Sequence, residues 1–255
     1  MARSTSTAMR SVTSSAVDGP MGWRAAGGSD IGRIRPRNED SYALAPEIGC
    51  YLIADGLGGL PAGAAASRLA VESALAALRE RPDQLREAMI AAQGAVAKAG
   101  SQLPSQQGMA TTLSILQIGE DNATIAHAGD SRIYVWDGRS LMQRTRDHTA
   151  GMDLLEAGAM PLDAVRNSPL WHQLTQAVGL DRALEPQIAT LDIAKAQAFL
   201  LCTDGISDML SDRKMVDIFA AHAGDPSAAI DALLTAAVEA GGEDNATAVV
   251  VSRHG

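Results

Sequence analysis

Several short stretches of this chain each deliver a carboxylate to the edge of an apolar run, and together they have the makings of a site for hard divalent cations. One is Tyr51-Leu52-Ile53-Ala54-Asp55-Gly56-Leu57-Gly58-Gly59, where Asp55 ends a strand-like run and enters a glycine-rich bend. Thr124 to Asp130, Phe199 to Gly205 and Gly241 to Asn245 repeat the form around Asp130, Asp204 and Asp244, and Glu39-Asp40 adds another acidic corner. A carboxylate is costly to bury unless it is paired, hydrogen-bonded or bound to a metal. One Asp beside a Gly is ordinary turn chemistry; four at strand margins ask for a common cause. Oxygen donors in that number suit Mg²⁺ or Mn²⁺, whereas zinc would want His and Cys. Just before Glu39-Asp40, Arg33, Arg35 and Arg37 stand at alternate positions. They could form a solvated basic loop or an anion clamp, and the planar fork of Arg suits a phosphate held bidentately.

The elements that must position these residues follow from periodicity. Trp23 to Ile31 reads as a first strand, and Ser41 to Ala45 and Cys50 to Ala54 as a strand pair around the turn at 46–49. Residues 62–80, with Ala66, Leu69, Ala70, Ala74, Leu75 and Leu78 at three-and-four spacing, form an amphipathic helix, and Asp83 to about Ala99 a second. Met109 to Ile118, Ala123 to Ala128, Arg132 to Trp136 and Leu141 to Arg144 read as a meander of antiparallel strands. From Asp147 to Gly179 the pattern is irregular, with short helical pieces at 151–157 and 171–178, as expected of a surface insertion beside a site. Strands return at 188–193 and 198–203, helices at 214–221 and 226–240, and a closing strand at 247–251. Blocks of strands separated by pairs of helices predict an α+β fold. With no internal repeat, one domain over 21–255 is expected, after a disordered tail at 1–20 that is rich in Ser, Thr and Ala.

Composition narrows the function. The chain has 255 residues, 46% of them hydrophobic, enough for a substantial core. A net charge of −9 argues against nucleic acid or an anionic membrane as partner, and no apolar stretch approaches the ~20 residues of a membrane span. Cys50 and Cys202 sit inside apolar runs, as core thiols of a protein in a reducing, cytoplasmic setting.

The set Gly32-x-x-Arg35-x-x-Asn38-Glu39-Asp40, Ala54-Asp55-Gly56-x-Gly58-Gly59, Gly129-Asp130-Ser131-Arg132, Thr203-Asp204-Gly205 and Gly242-x-Asp244-Asn245-Ala246-Thr247 resembles the metal-dependent protein phosphatases, the PPM or type 2C serine/threonine family, in their compact bacterial form. The resemblance runs from about Gly28 to Val251. It implies a four-layer αββα sandwich, two antiparallel sheets flanked by helix pairs. It implies that Asp55 bridges two Mn²⁺ or Mg²⁺ ions with the Gly56 carbonyl on one of them, that Asp204 and Asp244 hold the second, and that Asp130 with Asp204 holds a third. Glu39 and Asp40 would act through water, Arg35 would bind phosphate, and 147–179 would be the flap. Two cations ~3.5–4 Å apart can acidify a shared water for in-line attack on phosphorus, so a phosphomonoester would be hydrolysed in one step without a covalent intermediate. The implied partner is a phosphoserine or phosphothreonine protein, opposing a serine/threonine kinase, with the chain a monomer. The alternative is a catalytically silent member that binds a phosphoprotein; such relatives tend to lose the metal carboxylates, and all four are present here. There are two departures from the pattern. Leu57 stands where many members carry a histidine able to protonate the leaving oxygen, and the flap runs Pro169-Leu170-Trp171-His172-Gln173-Leu174-Thr175 without the Arg-Asn step that often precedes its Leu-Thr. His127 is expected to be a packed strand histidine and His148 an anchor of the flap.

Overall fold

The structure is a computed structural model that describes residues 12–13, 16–19, 22–57, 62–102 and 108–253. In chain order its elements are β1 (Val12–Thr13), β2 (Val17–Asp18), β3 (Trp23–Asp30), β4 (Asp40–Ala45), β5 (Cys50–Asp55), α1 (Gly63–Glu80), α2 (Leu85–Gly100), β6 (Leu113–Ile118), β7 (Asn122–Ala128), β8 (Arg132–Trp136), β9 (Leu141–Gln143), α3 (Ala150–Glu156), α4 (Leu162–Arg166), β10 (Gln187–Asp192), β11 (Ala198–Cys202), α5 (Asp204–Ser207), α6 (Asp212–His222), α7 (Pro226–Ala240) and β12 (Ala246–Arg253). Among the described residues the strands make two antiparallel sheets. One has the order β1-β3-β12-β11-β8-β9 with β2 also on β3, the other β10-β7-β6-β5-β4.

Alternation along the strands decides the layers. Successive side chains of a strand point to opposite faces, and here both faces are covered, so the strands read as unbroken apolar runs. From β11, Phe199 and Leu201 meet Tyr51, Ile53, Leu116 and Ile125 of the facing sheet in a core between the sheets. Leu200 and Cys202 point the other way, against Phe219, Ile230, Leu233 and Leu234 of α6 and α7. On the far side, Leu52, Ala54, Leu113 and Ile115 pack under α1 and α2, whose Ala66, Ala70, Ala74, Met89, Ala92 and Val96 are fully enclosed. The result is the αββα sandwich expected of an α+β chain, with the facing sheets closing on interdigitated side chains.

Three expectations need correcting. The strands from Met109 to Arg144 are not one meander: β6 and β7 pair in the five-stranded sheet, whereas β8 and β9 belong to the other. The chain changes sheet across Gly129-Asp130-Ser131, because β8 is zipped to β11 from Ala198↔Trp136 to Cys202↔Arg132. Residues 171–178 do not form one helix: Trp171 and His172 end a 3-10 turn, Pro169–His172, and beyond it isolated bridges join Leu174 to Thr149 and Val178 to Thr111. The disorder expected over 1–20 does not extend to β1 and β2, which pair with the edge of β3 (Val12↔Ser29, Val17↔Ala25). The rest of that segment lies outside the described residues, as do Gly58 and Gly59.

The segment that follows β9 is rooted in a buried ion pair. Arg132 of β8 grips Asp147 with Nε at 3.0 Å from both carboxylate oxygens and Nη2 at 2.6 Å from Oδ2, the two side chains being 13% and 5% exposed. Removing one partner of such a pair leaves the other enclosed without its counter-charge. Arg132→Ala is therefore expected to lower stability by about 3 kcal/mol, read as a urea midpoint. The double variant Arg132→Met/Asp147→Leu should recover most of the loss; a single variant with an unchanged midpoint would contradict this role.

Candidate metal and phosphate site

The stacking of the sheets brings the ends of five strands to one rim. Asp55 is the last residue of β5 and lies opposite Asp40, the first of β4. Asp130 follows β7, Asp204 follows β11, and Asp244 precedes β12. An open cleft of about 340 Å³ is lined by Asp55, Asp130, Asp204 and Asp244 together with Arg35, Leu57, His172, Leu174, Leu180 and Arg182. The four carboxylates singled out from the sequence thus share one cavity with the arginine expected to bind phosphate.

Local backbone chemistry places each of them. The Asp55 N–H donates to Thr112 Oγ1 at 2.8 Å, and its carbonyl accepts from the Thr111 hydroxyl and the Thr112 N–H at 2.7 and 2.8 Å, so the main chain is saturated and the carboxylate is left to project. Gly56 follows with its N–H on the Glu39 carbonyl at 3.1 Å. Gly129, at φ +119°, makes the sheet change that presents Asp130; a Cβ there would strike the Thr112 side chain. Gly205 lets the start of α5 close onto the Asn245 carbonyl, a contact that a methyl would block, and this approach sets Asp204 beside Asp244. Asn245 stitches the arginine loop into place: Oδ1 accepts from the Glu39 N–H at 2.8 Å, and Nδ2 donates to the carbonyls of Ile31 and Arg37 at 2.9 and 3.0 Å. Arg35, on that loop, donates from Nη2 to Asp244 Oδ2 at 2.6 Å.

Asp40 and Glu39 stand one layer back, since neither lines the cleft. Asp40 Oδ2 accepts from the hydroxyls of Thr247 at 2.6 Å and Thr203 at 3.0 Å, which ties β4 of one sheet to β12 and β11 of the other directly below the site. The Glu39 carboxylate lies against Gly63 at the start of α1, where a Cβ would stand 2.9 Å from Oε2. His127 is the packed strand histidine expected from the sequence. The His127 ring bridges Ser114 Oγ (2.8 Å) and the Arg146 carbonyl (3.1 Å) inside the sheet. His148 stacks on it at 4.9 Å, and its backbone N–H and carbonyl join Gly129 to Thr175. Burial lowers the His127 imidazole to about 3, so it packs as a neutral ring.

The electrostatics of the cluster are those of anions without enough counter-charge. Burial, reinforced by the neighbouring carboxylates Asp204 and Asp244 and offset in part by the two threonine hydroxyls, pushes Asp40 up to about 8. Burial and then Asp208 and Asp244 push Asp204 up to about 6. Asp55 is raised well above the usual carboxylate range by burial, then by Asp40 and Asp204, and Asp130 by burial and then by Asp204. Asp204 Oδ1 and Asp40 Oδ1 are closed off from solvent and have no hydrogen-bond partner. Shielded carboxylate oxygens without donors, in an all-oxygen set, fit hard divalent cations.

His172, Leu174, Leu180 and Arg182 line the cleft but were given no role from sequence alone. His172 ends the 3-10 turn Pro169–His172, and one ligand atom each from Asp130, His172 and Asp204 lie within 4.8 Å of one another. The available signal was its place just before Leu174-Thr175, at the step where the resembling family carries Arg-Asn. Arg132-Asp147 and the threonines on Asp40 were also missed, because their partners are distant in sequence.

The family model described as protein phosphatase 2C matches residues 35–234. A serine/threonine phosphatase, stp, of Listeria welshimeri is 30% identical over 238 residues, 89% of this chain and 94% of that protein. Among solved structures, the catalytic domain of the serine/threonine protein phosphatase PstP in complex with two manganese ions superposes with a TM-score of 0.79 at 31% identity, covering 91% of this chain and 99% of that one. The PPM Ser-Thr phosphatase MsPP of Mycobacterium smegmatis, in complex with cacodylate, does so with a TM-score of 0.78 at 28% identity, covering 95% and 100%.

Proposed function

The chain belongs to the protein phosphatase 2C family, and from that membership we propose that it hydrolyses phosphoserine and phosphothreonine esters of phosphoproteins with Mn²⁺ or Mg²⁺ as cofactor. The observation that carries this reading is the meeting of Asp55, Asp130, Asp204 and Asp244 with Arg35 around one cleft. In this reading Asp55, the Gly56 carbonyl, Asp204 and Asp244 would hold two cations, Asp130 with Asp204 would hold a third, and Glu39 and Asp40 would contribute through water. When bound, the cations supply Lewis acidity, which acidifies a water and offsets charge on the phosphoryl oxygens.

The chain's own residues do the rest. Arg35 reaches the cleft from an exposed loop and spends one N–H on Asp244, leaving further donors of its planar fork for a phosphoryl group. Asp40, gripped by Thr203 and Thr247, fixes the relative position of the sheets that present Asp55 and Asp204. Leu57 offers no proton at its position, and the imidazole in the cleft is that of His172. Neither thiol can serve as a nucleophile: Cys50 and Cys202 are buried in β5 and β11, and burial pushes both up to about 12. The reading accordingly takes a water as the nucleophile, in one step without a covalent intermediate. The same reading has residues 21–255 act as one phosphatase domain with 147–179 as its flap, as a monomer in the cytoplasm, against a serine/threonine kinase. No described helix is long and apolar enough to cross a membrane.

Arg35→Ala tests the phosphate role. A charge-assisted hydrogen bond contributes ~1.5–3 kcal/mol, so KM for a phosphothreonine peptide is expected to rise roughly 10- to 100-fold with a smaller change in kcat. An unchanged KM would take Arg35 out of the phosphate site.

A further inference from the structure

We propose that His172, carried by the flap, supplies an imidazole nitrogen to the cation held by Asp130 and Asp204, so that filling this third position pins the flap over the cleft. The inference rests on the phosphatase reading for the presence of cations and goes beyond it in naming a nitrogen ligand.

The geometry is built rather than incidental. His172 ends the 3-10 turn Pro169–His172, whose first residue is a proline with its φ already fixed. The neighbouring Trp171 ring lies under the Arg166 guanidinium at 5.6 Å, which holds the turn to α4. From there the imidazole reaches Asp130 and Asp204, with one donor atom of each residue inside a 4.8 Å span. Donors ~2.1–2.2 Å from one octahedral cation stand ~3 Å apart when adjacent and ~4.3 Å apart when opposite. Side-chain movements of about an ångström or less would therefore close all three onto one ion. A separate observation points to a ligand here: Asp204 Oδ1 is sealed from solvent and has no hydrogen-bond partner. The imidazole has room to respond, since its side chain is 59% exposed and its Nδ1 stands 3.6 Å from Asp208 Oδ2, too far for a hydrogen bond. A carboxylate beside the ring of a ligating histidine is a common arrangement, because it orients the ring and raises its basicity.

Two consequences follow from a nitrogen donor in an otherwise oxygen-lined site. The third position should favour Mn²⁺ over Mg²⁺, because imidazole suits transition metals and Mg²⁺ prefers oxygen. Its occupancy should also order the flap, because one of its ligands lies there.

The experiment uses the full chain titrated with Mn²⁺, read by calorimetry and by pulsed electron paramagnetic resonance, neither of which depends on turnover. The expected result is a ¹⁴N coupling on Mn²⁺ that appears as the weakest equivalent binds and is lost in His172→Ala. The dissociation constant of that equivalent should rise ~10-fold or more in His172→Ala, and its Mn²⁺-over-Mg²⁺ preference should shrink. Hydrogen exchange across 150–175 should slow as the third equivalent binds in the wild type and not in the variant. A third Mn²⁺ bound without ¹⁴N coupling, or bound as tightly by His172→Ala as by the wild type, would overturn the assignment while leaving the phosphatase reading in place. Failure of the wild type to bind even two equivalents would overturn both.

Discussion

Asp204→Asn is expected to lower kcat by at least ~10²–10³-fold, the scale of losing one preorganised charge at a reacting centre, and to leave the fold intact. Asp204 is the carboxylate on which most of the site converges: it lines the cleft, approaches Asp130 and His172, and feels Asp208 and Asp244 as like charges. An amide keeps its shape and removes its charge, so cation binding is lost with little change in packing. In the metal-free protein the same substitution relieves repulsion, because Asp204 is held up at about 6 by burial and by its acidic neighbours. The melting temperature in EDTA should therefore be equal to or higher than that of the wild type, while phosphate release from a phosphothreonine peptide collapses. Near-normal release by the variant would contradict the place given to Asp204.

The second large effect is a reversal of the pH dependence of stability by metal. Asp40 rises from 3.8 to about 8 in the folded chain, and Asp204 from 3.8 to about 6. A folded-state pKa above the unfolded value means that the folded state holds more protons, so this contribution to stability is fully present below pH ~4 and is lost as pH rises through ~6 and then ~8. In EDTA the melting temperature should climb as pH is lowered from 8 to 5. With saturating Mn²⁺ the slope should invert, because the ions compete with protons for the same carboxylates and stabilise only the folded state. Asp40→Asn should flatten the EDTA profile at its upper end. Parallel profiles with and without Mn²⁺ would show that the cluster does not bind the metal.

Much of the site was legible because its chemistry is local. Asp55, Asp130 and Asp204 each sit beside glycine at or just past the end of an apolar run, and Asp244 stands two residues after Gly242 just ahead of one, a pattern that reports a strand margin and a carboxylate together. The helices α1, α2 and α7 were readable from their three-and-four spacing, and the two-sided burial of β11 from its unbroken apolar run. What escaped was non-local. Nothing between Ala128 and Arg132 signals that the chain changes sheet there, since each strand looks the same whichever partner it takes; β8 is decided by its register with β11, more than sixty residues away. The threonines on Asp40 come from positions 203 and 247. Residues 171–178 carry apolar spacing that suits a helix, yet only the first two belong to a 3-10 turn and the rest is tied by bridges to Thr149 and Thr111. β1 and β2 are two residues each and take their structure from the edge of β3. His172 was visible as a departure from the family pattern, but only the fold of residues 147–179 shows what it faces.

The central claim is that divalent cations held by these carboxylates are required for hydrolysis of a phosphomonoester, and the most direct measurement is the initial rate of phosphate release from a phosphothreonine peptide with Mn²⁺, with Mg²⁺ and with EDTA. The account predicts a rate that appears with either cation and vanishes in EDTA. No cation-dependent rate from a chain that calorimetry shows to be loaded with Mn²⁺ would contradict it, and would leave a binding protein built on a phosphatase fold.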